Sequence, residues 1–462
     1  MKQKKLFILA AAAALFVGCS SDDSISEKAA KQAPQEVGFS VYVNRGVTRA
    51  GTIGEINDDA TLQTSAGFGV FAYYTNNEPY DQIFRPNFMY NEGVTYDNTN
   101  KWTYSPIKYW PNEYTTANAD EIDLVSFFAY APYAESSTTG KPTGDATKGI
   151  AGFTRNTAAG DPMVKYIVSG NIGDQVDLLW GVCGTNNEWD SKGVYQGVAG
   201  LPWLNVRHPG AWSASTPQKL KFTFKHALAG LKVTVATSAD VETSTTADPK
   251  TETKVFIRSI KFTGMTDKGS LNLNNVEANK AYWLDFVGMN DIDTDPGQSI
   301  TWFDGRKDGA EGTTIATSEK NNFLNPNLIQ SKVFDATGSG VKGTPANLFG
   351  KDSGSGMAAA ENDDYVYVIP TGENVTCTIE YDVLTEDAML SGFLNDFKNH
   401  GSVVKNVITK DITLSPSGNM KLENGKQYTI NLYLGLKSVV FDATVAEWTT
   451  GTTGTGTLPA NP

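Results

Sequence analysis

The sequence predicts an all-β protein of sandwich architecture. Three observations carry that expectation. Apolar residues alternate with a period of two through most of the patterned stretches, as in strands with one buried face. The 462 residues include 44 glycines, 19 tyrosines and 22 phenylalanines, and threonine is also plentiful. Such residues suit pleated, half-buried surfaces joined by turns. Helical periodicity is scarce, and AMLSGFLNDF (388–397) is the best local candidate for a helix.

The elements follow in order. Lys2, Lys4 and Lys5 precede an alanine-rich apolar run over 6–17. A basic start and a short apolar core read as a secretory signal, below the roughly 20 residues needed to span a bilayer. Gly18 before Cys19 suits a peptidase that cuts ahead of a cysteine. Residues 20–36 are small and polar, a tether by composition. In VGFSVYVNR, Phe39, Val41 and Val43 fall on one side and Ser40, Tyr42 and Asn44 on the other, which is a half-buried strand. NRGVTRAGTIGE is polar and glycine-punctuated, hence an exposed loop.

GFGVFAYYT (67–75), DLVSFFAYAPY (123–133), DLLWGV (177–182) and LKFTFKHALAGLKVTV (220–235) are near-continuous apolar strands. Residues 238–254 lack apolar periodicity and mark a linker or long hairpin at a domain border. A second set of strands follows: VFIRSIKFTG, GSLNLN, DYVYVIP, VTCTIEYDV, KQYTINLYLGL and KSVVFDATVAEW. In the last, Val439, Phe441, Ala443 and Val445 share one face. The tail 449–462 is low in complexity. The expected ranges are a signal at 1–18, a tether and first strand at 19–49, sandwiches at 50–237 and 255–448, and the border segment between them.

Composition excludes several functions. A formal net charge of −13 repels phosphate backbones, so nucleic acid is not an expected partner. Cys19, Cys183 and Cys377 are too few for a disulfide framework, and the latter two read as buried small apolar residues. His208, His226 and His400 leave little material for triads or histidine-rich metal sites. His226 reads as a structural hydrogen-bonding residue. No H-E-x-x-H, G-x-S-x-G or phosphate loop is present. Asp291, Asp293 and Asp295 alternate as in a calcium loop, but Pro296 and Trp302 stand where an EF-hand needs glycine and glutamate. A solvated acidic turn is the better reading. No catalytic residue, cofactor or metal site is expected. Aromatics such as Tyr73, Tyr74, Trp102, Tyr109, Trp110, Trp203, Trp212 and Trp302 suit core packing, with a sugar-stacking platform as the alternative.

Two resemblances sharpen this. LFVGC (15–19) resembles a bacterial lipoprotein signal with Cys19 the acylated residue, although Phe16 departs from the usual leucine; SSDD (20–23) resembles the surface-export tag of Bacteroidia lipoproteins. The motifs IKYWP (107–111), DLVSFFAYAP (123–132), FKHALAGLKVTV (224–235), IRSIKFTG (257–264), SLNLN (270–274) and the block 422–448 occur in the order seen in the fimbrillin family, the Mfa-like type V pilins of Bacteroidia. The chain resembles that family along nearly its whole length.

The resemblance implies two transthyretin-like β-sandwich domains in tandem. It implies export as an outer-membrane surface lipoprotein and removal of a leader with the first strand by an arginine-specific protease. Strand exchange with neighbouring fimbrillin subunits then builds fimbriae. Arg49 followed by Ala50 is the processing position that matches, with Arg45 a nearby second choice. The face of Val439, Phe441, Ala443 and Val445, within a candidate donor strand at 437–448, could fill the places of Phe39, Val41 and Val43; equally, it could be the last strand of its own domain. Adhesion partners for such a subunit are host or bacterial surface glycans or proteins. Shaft, tip and anchor roles stay open, as does a glycan-binding lipoprotein that keeps its Cys19 anchor and never polymerises.

Overall fold

The structure is a computed structural model. It describes residues 35–43, 56, 59–64, 67–97, 99, 101–111, 123–137, 143–169, 174–183, 201–206, 219–237, 253–274, 282–284, 299–304, 346–347, 365–385, 402–415, 418–434 and 439–447. In chain order the first half holds β1 (Phe39–Val43), helix α1 (Asp59–Thr64), β2 (Phe68–Asn76), β3 (Met89–Tyr96), β4 (Trp102–Thr103), β5 (Leu124–Ala131), β6 (Ile150–Phe153), β7 (Met163–Ile167), β8 (Leu179–Cys183), β9 (Trp203–Val206) and β10 (Leu220–His226). The series continues with β11 (Ala229–Thr237), β12 (Thr253–Thr266), β13 (Lys268–Asn272), β14 (Tyr282–Leu284), β15 (Ser299–Asp304), β16 (Ala346–Asn347), β17 (Val366–Pro370) and β18 (Thr376–Thr385). It ends with β19 (Ser402–Asp411), β20 (Thr413–Ser415), β21 (Gly418–Asn419), β22 (Lys426–Leu434) and β23 (Val439–Glu447). The protein is all-β, as expected, and α1 is a short helix that the sequence pattern did not suggest. The helix candidate 388–397 lies outside the described residues.

Two large sheets dominate. The first has the order β1-β10-β8-β5-β2-β3-β4, with β9 against β5; the second has β19-β18-β12-β17-β11-β22-β23, with β15 and β16 paired off the path. The near-continuous apolar runs of β2 and β5 have a simple cause, because both faces of their sheet are covered. Phe68, Val70 and Ala72 of β2 join Val125, Phe127 and Ala129 of β5 in one core. Their neighbours Phe71, Tyr73, Phe128 and Tyr130 point the other way, into a second core. That second core also takes Leu271, Leu273, Tyr367 and Ile369 from the C-terminal half. A third core, including Leu231, Ile260, Phe262, Val368, Ile379, Ile430 and Leu432, belongs to the second sheet.

Local sequence fits this packing closely at Gly69. It faces Tyr130 across the β2–β5 ladder, and a Cβ there would come within 2.3 Å of the Tyr130 ring. Glycine therefore lets the ring lie flat over the strand, while the Tyr130 hydroxyl donates to Asn91 Oδ1 at 2.7 Å.

The chain crosses from the first sheet to the second between β10 and β11, at Ala227 and Leu228, both fully buried. The sequence placed 220–235 wholly in the N-terminal sandwich and the border at 238–254. Composition marks borders where a chain turns polar, and this crossing is made inside an unbroken apolar run. Of the border segment, 238–252 lie outside the described residues and Thr253 already begins β12. A small sheet of order β14-β13-β7-β6 also joins the halves, with Leu271 of β13 opposite Val164 of β7.

Candidate functional site

The site that the sequence singles out is β1 and its surroundings. β1 forms one edge of the first sheet and runs parallel to β10, with Phe39 opposite Leu220, Val41 opposite Phe222 and Val43 opposite Phe224. Alternation turns Phe39 and Val43 fully inward, leaves Val41 half-buried and exposes Tyr42. Val37, two residues before Phe39, is also buried.

Phe39 is the centre of an aromatic cage. Its ring lies 6.1 Å from that of Phe68, 5.5 Å from Tyr104, 6.3 Å from Phe127 and 6.1 Å from Phe222, three of them edge-on and Phe222 stacked. Such pairs add to plain area burial. Burial pushes the Tyr104 phenol well above its ordinary value, and its hydroxyl donates to the Val37 carbonyl at 2.8 Å.

The two ends of the segment are fastened separately. At its start, Val37 N–H donates to Lys108 O at 2.9 Å and Trp110 N–H to Gln35 O at 2.8 Å. At its end, Val43 N–H donates to Asp59 Oδ1 at 2.7 Å. Asp59 opens α1, whose Leu62 is fully buried in the same core as Phe39. On the outer face, Lys221 Nζ stands 5.4 Å from the Tyr42 ring centroid.

β23 is an edge too, but of the second sheet. It runs antiparallel to β22, with Leu432 opposite Phe441, Ile430 opposite Ala443 and Tyr428 opposite Val445. Ala443 is buried and Val445 half-buried, while the side chains of Val439 and Phe441 lie outside the described residues. The chain thus keeps β23 in its own sheet and β1 in the first, and the two strands do not meet. Cys19, Arg49, Ala50 and the aspartates Asp291, Asp293 and Asp295 lie outside the described residues. Arg49 falls in sequence between β1 and Ile56, which is buried in the Phe39 core.

Among the described residues no group of three or more histidine, cysteine or acidic side chains could hold a metal ion. His226 makes the structural contact its sequence suggested, with Nδ1 2.6 Å from Asp177 Oδ2 and both side chains buried. Cys377 is buried, and burial raises its thiol pKa strongly. Tyr73, Trp110 and Trp203 are buried in the cores, as packing residues are, and Tyr109 is half exposed.

Sequence reasoning did not single out Val37, Asp59 or Tyr104. Val37 was within reach, since it continues the odd-numbered face of Phe39, Val41 and Val43. Tyr104 and Asp59 carry no local signal, because their partners are set by tertiary approach.

No family model matches the chain. A curated relative, the fimbrium subunit Fim1C of Phocaeicola vulgatus, is 22% identical over 461 residues, covering 96% of both chains. Among solved structures, a fimbrial protein from Bacteroides vulgatus is 19% identical, covers 90% of this chain and 100% of its own, and has a TM-score of 0.45. A candidate cell-adhesion protein from Bacteroides uniformis is 11% identical, with coverages of 90% and 98% and a TM-score of 0.35. Over almost its entire length this chain is therefore similar to a fimbrium subunit, the relationship that the order of its motifs implied.

Proposed function

We propose that this chain is a non-enzymatic structural or adhesive subunit of a surface fimbrium. In this reading Cys19 is acylated and carries the precursor to the outer membrane. An arginine-specific protease cuts after Arg49, and the leader departs with β1. A strand from a neighbouring subunit then takes the vacated edge.

The observation that carries the reading is the position of β1. It is an edge strand, it fills a core with Phe39, and it ends just before the stretch holding Arg49. Removing it would leave unpaired backbone groups along β10 and an aromatic-lined cavity, and both defects are costly. A strand with matching alternation repairs both at once, which is β-strand addition. The full-length similarity to a fimbrium subunit supports the same reading.

The test is limited digestion of the purified chain with an arginine-specific protease, followed by N-terminal sequencing and sizing. The expected result is a folded core that begins at Ala50 and oligomerises. A core that begins there and stays monomeric at all concentrations would sink strand exchange, and a chain resistant at Arg49 would sink the processing step.

A further inference from the structure

We infer that β19, the outer edge of the second sheet, is a self-association surface. It pairs antiparallel with β19 of a second copy of this chain, about a two-fold axis at Ile408. The contact needs neither cleavage at Arg49 nor the exchange of any strand.

Most other edge strands are short or fastened. β4 has two residues, β14 three and β6 four, and β1 is tied at both ends. β19 lies at the opposite end of its sheet from β23. It has ten residues, all in register with β18 and without a bulge. Among the described residues no strand pairs with its other side. Its sequence, SVVKNVITKD, contains neither glycine nor proline. Val407 is 60% exposed, Thr409, Lys410 and Asp411 are exposed, and Ile408 is only half-buried against the second sheet's core. A long, regular and partly apolar edge is a template for another strand.

Charge selects the occupant. Lysines at a sheet edge discourage pairing with most strands, and β19 carries Lys405 and Lys410. A two-fold antiparallel pairing keeps the faces of the two sheets aligned, so even-numbered residues meet even and odd meet odd. Centred on Ile408, it sets Lys405 opposite Asp411 of the second copy, Asn406 opposite Lys410, Val407 opposite Thr409 and Ile408 opposite itself. Each lysine then meets an acid or an amide, and symmetry makes every such pair twice. The two isoleucines add cover to each other. Opposite charges placed across two strands stabilise their pairing. Asp411 Oδ1 accepts from Thr376 Oγ1 at 2.6 Å, and an ionised carboxylate has acceptor sites to spare. An axis at Val407 would set Lys405 against Thr409 and Asp411 against Val403. An axis at Thr409 would set Ile408 against Lys410 and Val407 against Asp411. Of the three centres, Ile408 alone matches charge with charge and apolar with apolar.

Sedimentation of the uncut full-length chain over a range of concentrations reads the contact, because β1 stays in place and strand exchange does not contribute. The parent is expected to dimerise reversibly. K405D or D411K alone sets like charges opposite at both symmetric positions and is expected to weaken dimerisation about tenfold. K405D with D411K restores the pairs in swapped form and is expected to return dimerisation to near the parent value, a rescue that damage to folding cannot imitate. A parent that stays monomeric throughout would overturn the inference, as would single variants that dimerise like the parent. A double variant as weak as the singles would overturn the register. Cysteines at the exposed positions 407 and 409 test the same register and leave Asp411 and its bond to Thr376 intact. Mild oxidation of mixed V407C and T409C chains is expected to give a cross-linked dimer that neither chain gives alone, with the parent as background. Cross-linking of V407C alone would move the axis to Val407, and of T409C alone to Thr409, and either would overturn the pairing about Ile408. A parent that dimerises while no cysteine chain or mixture cross-links would overturn β19 as the surface.

Discussion

Asn272 Nδ2 donates to Asp161 Oδ2 at 3.0 Å across 111 residues of sequence, and both side chains are buried. The same carboxylate accepts from Asn274 Nδ2 and Tyr80 Oη at 2.9 Å through Oδ1, and from Gln82 Nε2 at 2.9 Å through Oδ2. A buried charge is tolerable when hydrogen bonds replace its water. Here four donors do so, two from the loop after β2 and two from the end of β13. Asp161 therefore joins the N-terminal half to the C-terminal half.

Asp161→Ala should destabilise the chain by about 3 kcal/mol, because the donors that surround it lose their acceptor and some stay buried. Tyr80→Phe removes one hydrogen bond and should cost about 1 kcal/mol. Urea unfolding followed by tryptophan fluorescence measures both, and similar losses for the two variants would show that Asp161 does not act as the common acceptor.

Phe39→Ala should cost about 3–4 kcal/mol in the uncut precursor, the usual penalty for emptying a large core site. Tyr42→Ala on the exposed face of the same strand should stay within about 1 kcal/mol, since it loses only a solvent-screened contact with Lys221. The difference in urea midpoints tests whether β1 is held by its inner face.

Asp177 and His226 form a buried pair 49 residues apart at the crossing between the sheets. With the carboxylate ionised, Nδ1 carries the proton and donates. The His226 carbonyl also accepts from Asn424 Nδ2 at 3.1 Å. Asp177→Ala should cost about 2–3 kcal/mol. A double-mutant cycle with His226→Ala should give a coupling above about 1 kcal/mol, and strictly additive losses would disprove the pairing.

Burial pushes the phenols of Tyr73, Tyr80, Tyr104, Tyr130 and Tyr166 well above the ordinary value of 10.0. Below about pH 10 folded and unfolded chains both keep these protons, so they leave stability unchanged. Above it the unfolded chain releases them and the folded chain does not, so stability falls as pH rises. Each such phenol contributes about 1.4 kcal/mol per pH unit. Absorbance at the phenolate band should show these tyrosines silent near pH 10 and ionising together when the chain unfolds. Smooth titration of every tyrosine near pH 10 in the folded protein would contradict their burial.

The strand character of this chain was legible because period-two alternation and double-sided apolar runs follow from how each strand is covered. GFGVFAYYT and DLVSFFAYAPY could be read as strands without knowing what lay on either face. The inward set Phe39, Val41 and Val43 was legible for the same reason. Similarity to fimbrial subunits was legible from motif order, which needs no geometry.

Partnership was not legible. Nothing local says that Asp161 collects donors from Tyr80 and Asn274, that Asp59 holds the end of β1, or that Phe39 sits among Phe68, Tyr104, Phe127 and Phe222. The border between the sheets was hidden as well, because the crossing at Ala227 and Leu228 is as apolar as the strands on either side of it. Alternation along one strand fixes which residues point inward. Which strand lies beside it, and in which register, depends on contacts between residues far apart in sequence, and only the folded chain decides those.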